Sequence, residues 1–140
     1  MMDKSTARGH ATVLIVEDQA LLRAALRGFL QIAFASCSFV EADDGASALK
    51  ACKACRPDVV LMDKCLPDAD GIELTCRLRV IYPGIQVIVM SQHSGDIYMQ
   101  RALAAGARTY LVKDCLPAEL IPAVASAIGI AAAAGTGTSS

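Results

Sequence analysis

Four polar sites in this sequence stand where apolar runs end. Thr12-Val13-Leu14-Ile15-Val16 leads into Glu17-Asp18, and Val59-Val60-Leu61-Met62 leads into Asp63. Gln86-Val87-Ile88-Val89-Met90 leads into Ser91, and residues 108–112 lead into Lys113. Carboxylates crowded together repel, and one takes up a proton unless a cation holds them. Lys113 offers one positive charge, and a hard divalent ion is the natural second. Carboxylates, a backbone carbonyl and waters are what Mg²⁺ accepts. Such a set suits phosphoryl transfer to a carboxylate, with an Asp as nucleophile forming an aspartyl phosphate. Lys113 and Mg²⁺ would place charge around the equatorial oxygens, and the Ser91 hydroxyl would supply a donor. Each residue alone has a plainer reading: Asp63 caps the next turn, and Ser or Lys at a strand end is structural. The four together point to chemistry.

Positioning them requires a particular kind of scaffold. A continuous apolar run has both faces covered, so these segments read as strands of a buried parallel sheet. Ser38-Phe39-Val40-Glu41-Ala42 is a further short strand. Apolar residues at helical spacing (Leu22, Ala25, Leu26, Phe29, Leu30) predict a helix over 20–33, with Arg23 and Arg27 on its other face. Further helices are expected at 46–54, stopped before Pro57, at 72–81, at 96–105 with Gly106 as a left-handed cap, and at 117 to about 132. Five strand-then-helix repeats imply a parallel sheet with helices on both faces. Ligands in such sheets bind at the carboxyl rim. If the first and third strands are neighbours at a switch point, Asp18 and Asp63 converge there. Periodicity does not give the strand order.

The bulk properties exclude several classes. The 140 residues are enough for one domain with a core. A net charge of −1 gives no basis for binding nucleic acid or an anionic membrane. The six cysteines are expected to be reduced thiols of a cytoplasmic protein, because residues 1–10 are polar and lack a secretory signal's apolar segment. Cys52-Lys53-Ala54-Cys55 spells C-x-x-C but falls within a helical pattern and has no second pair, which disfavours zinc. Residues 120–134 carry no charge but are too few for a membrane span, and Pro122 and Gly129 interrupt the run as a span; the segment reads as the last helix. The expected organisation is a polar lead-in over 1–11, a domain over 12–130 and a flexible low-complexity tail over 131–140.

Several stretches in this order resemble the receiver domains of two-component response regulators. They are Val13 through Asp18, Leu61-Met62-Asp63 through Leu66-Pro67 and Gly71, Val87 through Ser91, and Gly106 through Asp114. The resemblance implies a flavodoxin-like α/β fold, doubly wound, with strand order 2-1-3-4-5. It implies that Asp63 accepts phosphate from a histidine kinase. Asp18, Asp63 and the Cys65 backbone carbonyl would bind Mg²⁺, with Glu17 acting through water. Ser91 would contact the phosphoryl group, Lys113 would pair with it, and Tyr110 would be the switch aromatic, swinging inward as Ser91 moves. Such a chain catalyses only its own phosphorylation and dephosphorylation.

The wording around Glu17 through Arg23 is similar to receivers that precede LuxR-type helix-turn-helix output domains. The chain therefore acts alone, by protein contact or in a phosphorelay, or as the input part of a transcription regulator. Homodimerisation through the Ala-rich last helix is a further expectation.

Departures from the family pattern are Lys64 after Asp63, Thr109 before Tyr110, Leu116 before Pro117, and Gln19. Lys64 is the main feature favouring a pseudo-receiver, a constitutive interaction module whose site is unused. A phosphohydrolase would need an acid at Cys65, and an FMN-binding flavodoxin would place phosphate against Glu17-Asp18. His93, beside Ser91, reads as an exposed loop histidine, and His10 carries no assignment.

Overall fold

Every strand expected from an apolar run is present in the computed structural model, which describes residues 10–137 and side chains as far as residue 130. Residues 1–9 of the lead-in expected over 1–11, and the last three residues, lie outside the described part. The strands are β1 (Thr12–Val16), β2 (Ser38–Ala42), β3 (Val59–Asp63), β4 (Gln86–Ser91) and β5 (Thr109–Val112). They alternate with α1 (Ala20–Ala33), α2 (Gly45–Cys55), α3 (Gly71–Ile81), α4 (Asp96–Ala104) and α5 (Leu116–Gly137). All pairings are parallel and the order is β2-β1-β3-β4-β5. This is the flavodoxin-like order with the switch point between β1 and β3. The register aligns Val16 with Met62, Asp63 with Met90, and Ser91 with Val112, so the polar exits share one rim.

Alternation along the strands divides the core into two layers, as the pleat demands. Leu14, Val16, Val60, Met62, Val87 and Val89 pack with Ala48, Cys52, Leu74, Leu78 and Ala102, from the helices α2, α3 and α4. Val13, Ile15, Val59, Leu61, Ile88 and Met90 pack with Leu26 and Leu30 of α1 and Leu120, Val124 and Ala127 of α5. Each large aliphatic side chain fully withdrawn from water contributes about 1.5–3 kcal/mol before entropy is counted. The two helical layers therefore hold the rim from both sides.

Local chemistry sets the helix ends near that rim. The Asp44 carboxylate accepts from Ser47 N at 2.8 Å and caps α2, and Asp70 accepts from Ile72 N at 2.8 Å and caps α3. Helix α2 stops at Arg56, whose φ of 46° is left-handed, directly before Pro57. Gly106 takes φ of +106° after α4, as its cap role requires.

The last helix departs from expectation. It begins at Leu116 and runs through Pro122 and Gly129, as the expected helix over 117 to about 132 also did, but it continues to Gly137, past its expected end and into the segment read as a low-complexity tail. Pro122 lies in the second turn and forfeits only the bond to the Ala118 carbonyl, while the long run of Ala favours helix. Leu116, a poor capping residue, is buried against the α1 and α5 layer, which gives it a packing role. Helices α2 and α3 begin one residue earlier than the sequence pattern suggests, and Lys113 opens a single 3₁₀ turn, Lys113–Cys115, between β5 and α5. Among the described residues no helix is long and apolar enough to cross a membrane.

Candidate functional site

The β1 exit delivers two acids with opposite exposure. Glu17 is fully buried and Asp18 is exposed. The β3 exit adds Asp63, which is 3 % exposed. One carboxylate oxygen from each of Glu17, Asp18 and Asp63 lies within 4.8 Å of the others. The β5 exit supplies the counter-charge: Lys113 Nζ lies 3.1 Å from Glu17 Oε1 and 3.3 Å from Asp63 Oδ1. The β4 exit supplies Ser91, buried, whose Oγ accepts from His93 N at 3.0 Å. A cleft of about 220 Å³ opens here, lined by Asp18, Asp63, Cys65, Ser91, His93 and Lys113 together with Gln19 and Gln92. It is the size of a phosphoryl group with a hydrated ion, and small for a nucleotide-sized ligand.

The electrostatics follow from this crowding. Burial raises the Glu17 pKa; the Gln19 N–H and Lys113 oppose it, while the nearby Asp63 charge adds to it. Burial alone would lower the Lys113 pKa, but its hydrogen bond to Glu17 and the Asp63 charge override burial and the net shift is upward. Lys113 is therefore held as an ammonium between two acids. Three hard carboxylate donors with one ammonium leave net negative charge in a small space, which fits a divalent ion of the Mg²⁺ type. Glu17, Asp18 and Asp63 are the residues that could hold it. Cys65 lines the same cleft, and its backbone N–H donates to Asp63 Oδ1 at 3.2 Å.

Neighbouring side chains complete the rim. Gly71 N donates to Lys64 O at 2.7 Å, and a Cβ on Gly71 would stand 2.1 Å from the Asp63 carbonyl oxygen. Only glycine lets α3 start this close to the end of β3. Lys64 does not line the cleft: its ammonium sits 4.8 Å from the centre of the Tyr98 ring. The cation that favoured an unused site is thus turned onto Tyr98 of α4. His93 is exposed, as expected, but its ring also meets the Tyr98 ring in a tilted contact, with centroids 4.9 Å apart, and it lines the cleft. Tyr110, expected to move inward on phosphorylation, is already buried here, and its hydroxyl donates to the His93 carbonyl at 2.6 Å. Thr109, just before it, is half-buried.

The cysteines behave as thiols. All six are free; Cys52 is buried, and burial pushes it up to about 11, while Cys55 is exposed on the same helix. The pair does not join any group of metal-binding side chains among the described residues.

Three contacts at the site were not read from the sequence. Asp68 accepts from Gly45 N at 2.7 Å and Ala46 N at 3.1 Å, clamping the β3–α3 loop to the start of α2. Tyr98 gathers Lys64 and His93. Arg23, assigned only to the polar face of α1, donates to the Glu17 carbonyl at 2.7 Å and to Glu41 at 2.9 Å. A charged Glu41 inside a short apolar strand was the one available signal for the last of these.

Comparison with known proteins gives the family of this fold. The sequence profile of the response regulator receiver domain matches residues 13–125. The chain is 30 % identical over 123 residues to the transcriptional regulatory protein DegU of Brevibacillus brevis, covering 88 % of this chain and 52 % of that one. It is 34 % identical over 112 residues to the response regulator GacA of Pseudomonas viridiflava, covering 80 % and 52 %. The chain thus spans about half the length of these curated relatives. Among solved structures, the signal receiver domain of the putative response regulator NarL from Mycobacterium tuberculosis superposes with a TM-score of 0.79 at 32 % identity, covering 86 % of this chain and 97 % of that one. With an acidic triad, a lysine and a hydroxyl converging at the β1/β3 switch point, and a profile match across most of its length, the chain belongs to the response regulator receiver domain family.

Proposed function

We propose that this receiver domain is a phospho-acceptor in which Asp63 takes a phosphoryl group from the phosphohistidine of a histidine kinase. The observation that carries the reading is the convergence of the Glu17, Asp18 and Asp63 carboxylates within 4.8 Å, with Lys113 Nζ 3.3 Å from Asp63. In the transfer, an Asp63 carboxylate oxygen bonds to phosphorus as the phosphorus–nitrogen bond breaks. The electron pair returns to the departing imidazole. Lys113 and the Ser91 hydroxyl face the cleft and would stabilise the charge on the equatorial oxygens. Mg²⁺, held by Asp18, Asp63 and the Cys65 carbonyl with Glu17 behind, would neutralise further charge on those oxygens when bound. The domain is in this sense no turnover enzyme: the phosphorylated residue is its own.

The signal leaves through Ser91 and Tyr110. Ser91 Oγ is engaged by the His93 N–H, and Tyr110 holds the His93 carbonyl from the other side. A phosphoryl group that recruits the Ser91 hydroxyl favours this loop position. Inverting a 1:99 population needs about 5.5 kcal/mol of preference for one state. A dianion beside Lys113 is a group of sufficient charge to supply it. Since the chain spans half of the transcription regulators it resembles, the domain would act as the input half of such a regulator in the cytoplasm. Its copies would pair on activation, which light scattering with and without beryllofluoride measures.

Incubation with acetyl phosphate and MgCl₂ tests the reading. A covalent, hydroxylamine-labile phosphate on the wild type and none on Asp63→Asn is expected. No label on the folded wild type across a range of Mg²⁺ overturns it and leaves the constitutive interaction module.

A further inference from the structure

Arg23 stands at a junction that the phosphoryl chemistry does not itself use. It rises from the first turn of α1. Its Nε donates to Glu41 Oε1 at 2.9 Å, and its NH1 donates to the backbone carbonyl of Glu17 at 2.7 Å. Glu41 lies on β2, in register with Ile15 of β1, and is itself fixed by Arg27 NH1 on its other oxygen at 2.6 Å. The guanidinium thus has one edge on a carboxylate anchored in the sheet and another on a main-chain oxygen.

That main-chain oxygen matters because of what shares its plane. The Glu17 carbonyl and the Asp18 N–H belong to one rigid peptide unit. The Glu17 and Asp18 side chains leave from the two ends of that unit. The Glu17 carboxylate has its own anchors, Lys113 Nζ at 3.1 Å and Gln19 N at 3.1 Å. Asp18 is exposed, so its direction toward the cleft depends on the backbone beneath it. A rotation of the shared peptide would turn Asp18 away from Asp63 while leaving β1 intact.

We infer that Arg23, braced by Glu41, is a positioning residue for the cation site: it locks the Glu17–Asp18 peptide so that the Asp18 and Asp63 carboxylates stay convergent. The inference rests on the reading of the acidic cluster as a Mg²⁺ site. Arginine is required by geometry and not by charge alone. A planar fork can engage the carbonyl and the carboxylate together, whereas a lysine ammonium satisfies one acceptor well and lacks the fork that fixes the second. Partners that orient ligands in this way typically change metal affinity by about 10–100-fold when removed.

Calorimetric titration of the whole chain with MgCl₂ tests this, using the wild type, Arg23→Lys, Glu41→Gln and Arg27→Gln. Arg23→Lys keeps the charge and should bind Mg²⁺ about tenfold more weakly. Glu41→Gln should weaken binding in the same direction, and it decides the matter if Arg23→Lys does not fold. Arg27→Gln releases only the second oxygen of Glu41 and leaves both Arg23 bonds in place, so it should weaken binding less than Glu41→Gln does. In acetyl phosphate labelling, the half-saturating Mg²⁺ concentration should rise in Arg23→Lys while the rate at saturating Mg²⁺ is retained. Folded Arg23→Lys and Glu41→Gln proteins with wild-type Mg²⁺ affinity overturn the positioning role alone. A folded wild type that takes up no Mg²⁺ overturns the reading of the site and this role with it.

Discussion

Replacing Gly71 by Ala places one methyl group where α3 meets the nucleophile's strand. The new Cβ would stand 2.1 Å from the Asp63 carbonyl oxygen and 2.9 Å from both the Asp63 carbonyl carbon and Lys64 Cα. Real Cβ atoms keep at least 3.0 Å, so the backbones must separate by about 0.9 Å. All three obstructing atoms are main chain, so no side chain can turn aside. Forced shifts of this kind cost about 1–3 kcal/mol. The bond from Gly71 N to Lys64 O, 2.7 Å long, stretches or breaks for about 1 kcal/mol more. Alanine's better helix propensity offsets at most about 1 kcal/mol, and less at the first helical residue. The net loss is about 1–3 kcal/mol, which lowers Tm by about 4–12 °C in a chain of this size.

The same displacement reaches Asp63, and a misplacement near 1 Å slows a positioned reaction about a hundredfold. Thermal unfolding by circular dichroism and the acetyl phosphate labelling rate measure the two effects. Gly28, in α1, has no atom within 4 Å of its would-be Cβ, so Gly28→Ala should raise Tm slightly and label normally. A Gly71→Ala protein with the wild-type Tm and labelling rate would refute the close-approach reasoning.

Other outcomes follow from the charges and thiols. Lys113→Met leaves Glu17 buried beside Asp63 without its ammonium, and should cost about 3 kcal/mol at neutral pH. That deficit should shrink as pH falls and Glu17 takes up a proton, which urea unfolding at pH 7 and pH 5 measures. Glu41 has its pKa lowered, first by the hydrogen bond from Arg27 against the opposing effect of burial, with Arg23 adding to it. Its stabilising contribution is therefore present above its ordinary pKa near 4.5 and lost as pH falls through the lower folded value. The Tm difference between wild type and Glu41→Gln should accordingly be largest at neutral pH and vanish in acid. Cys52, buried with its thiol near 11, should resist iodoacetamide in the folded protein while the exposed Cys55 reacts, and mass mapping of labelled peptides distinguishes them. Equal labelling of the two would contradict the packing of α2.

The sequence alone determined what could be written as a local pattern. Continuous aliphatic runs marked β1, β3 and β4 because a buried parallel strand needs apolar residues on both faces. The residue at each exit was legible because a charged or hydroxyl group after such a run is costly without a partner. The helical spacing of Leu22, Leu26, Phe29 and Leu30 marked α1 for the same reason of burial. Helix ends were read less well: the last helix runs to Gly137, past its expected end near 132, and Pro122 within it costs one backbone bond, which is small beside the burial of Leu120, Val124 and Ala127 against the sheet.

Tertiary structure decided everything that depends on residues distant in the chain. The neighbouring of β1 and β3 brings Glu17, Asp18 and Asp63 together, and no periodicity encodes strand order. Lys113, 96 residues from Glu17, becomes its partner only because β5 ends on the same rim. Lys64 turns to Tyr98, Tyr110 reaches the His93 carbonyl, and Arg23 spans from α1 to β2 and the end of β1. A side chain's identity fixes what bonds it is able to make; which acceptor it meets depends on how separate segments pack in space.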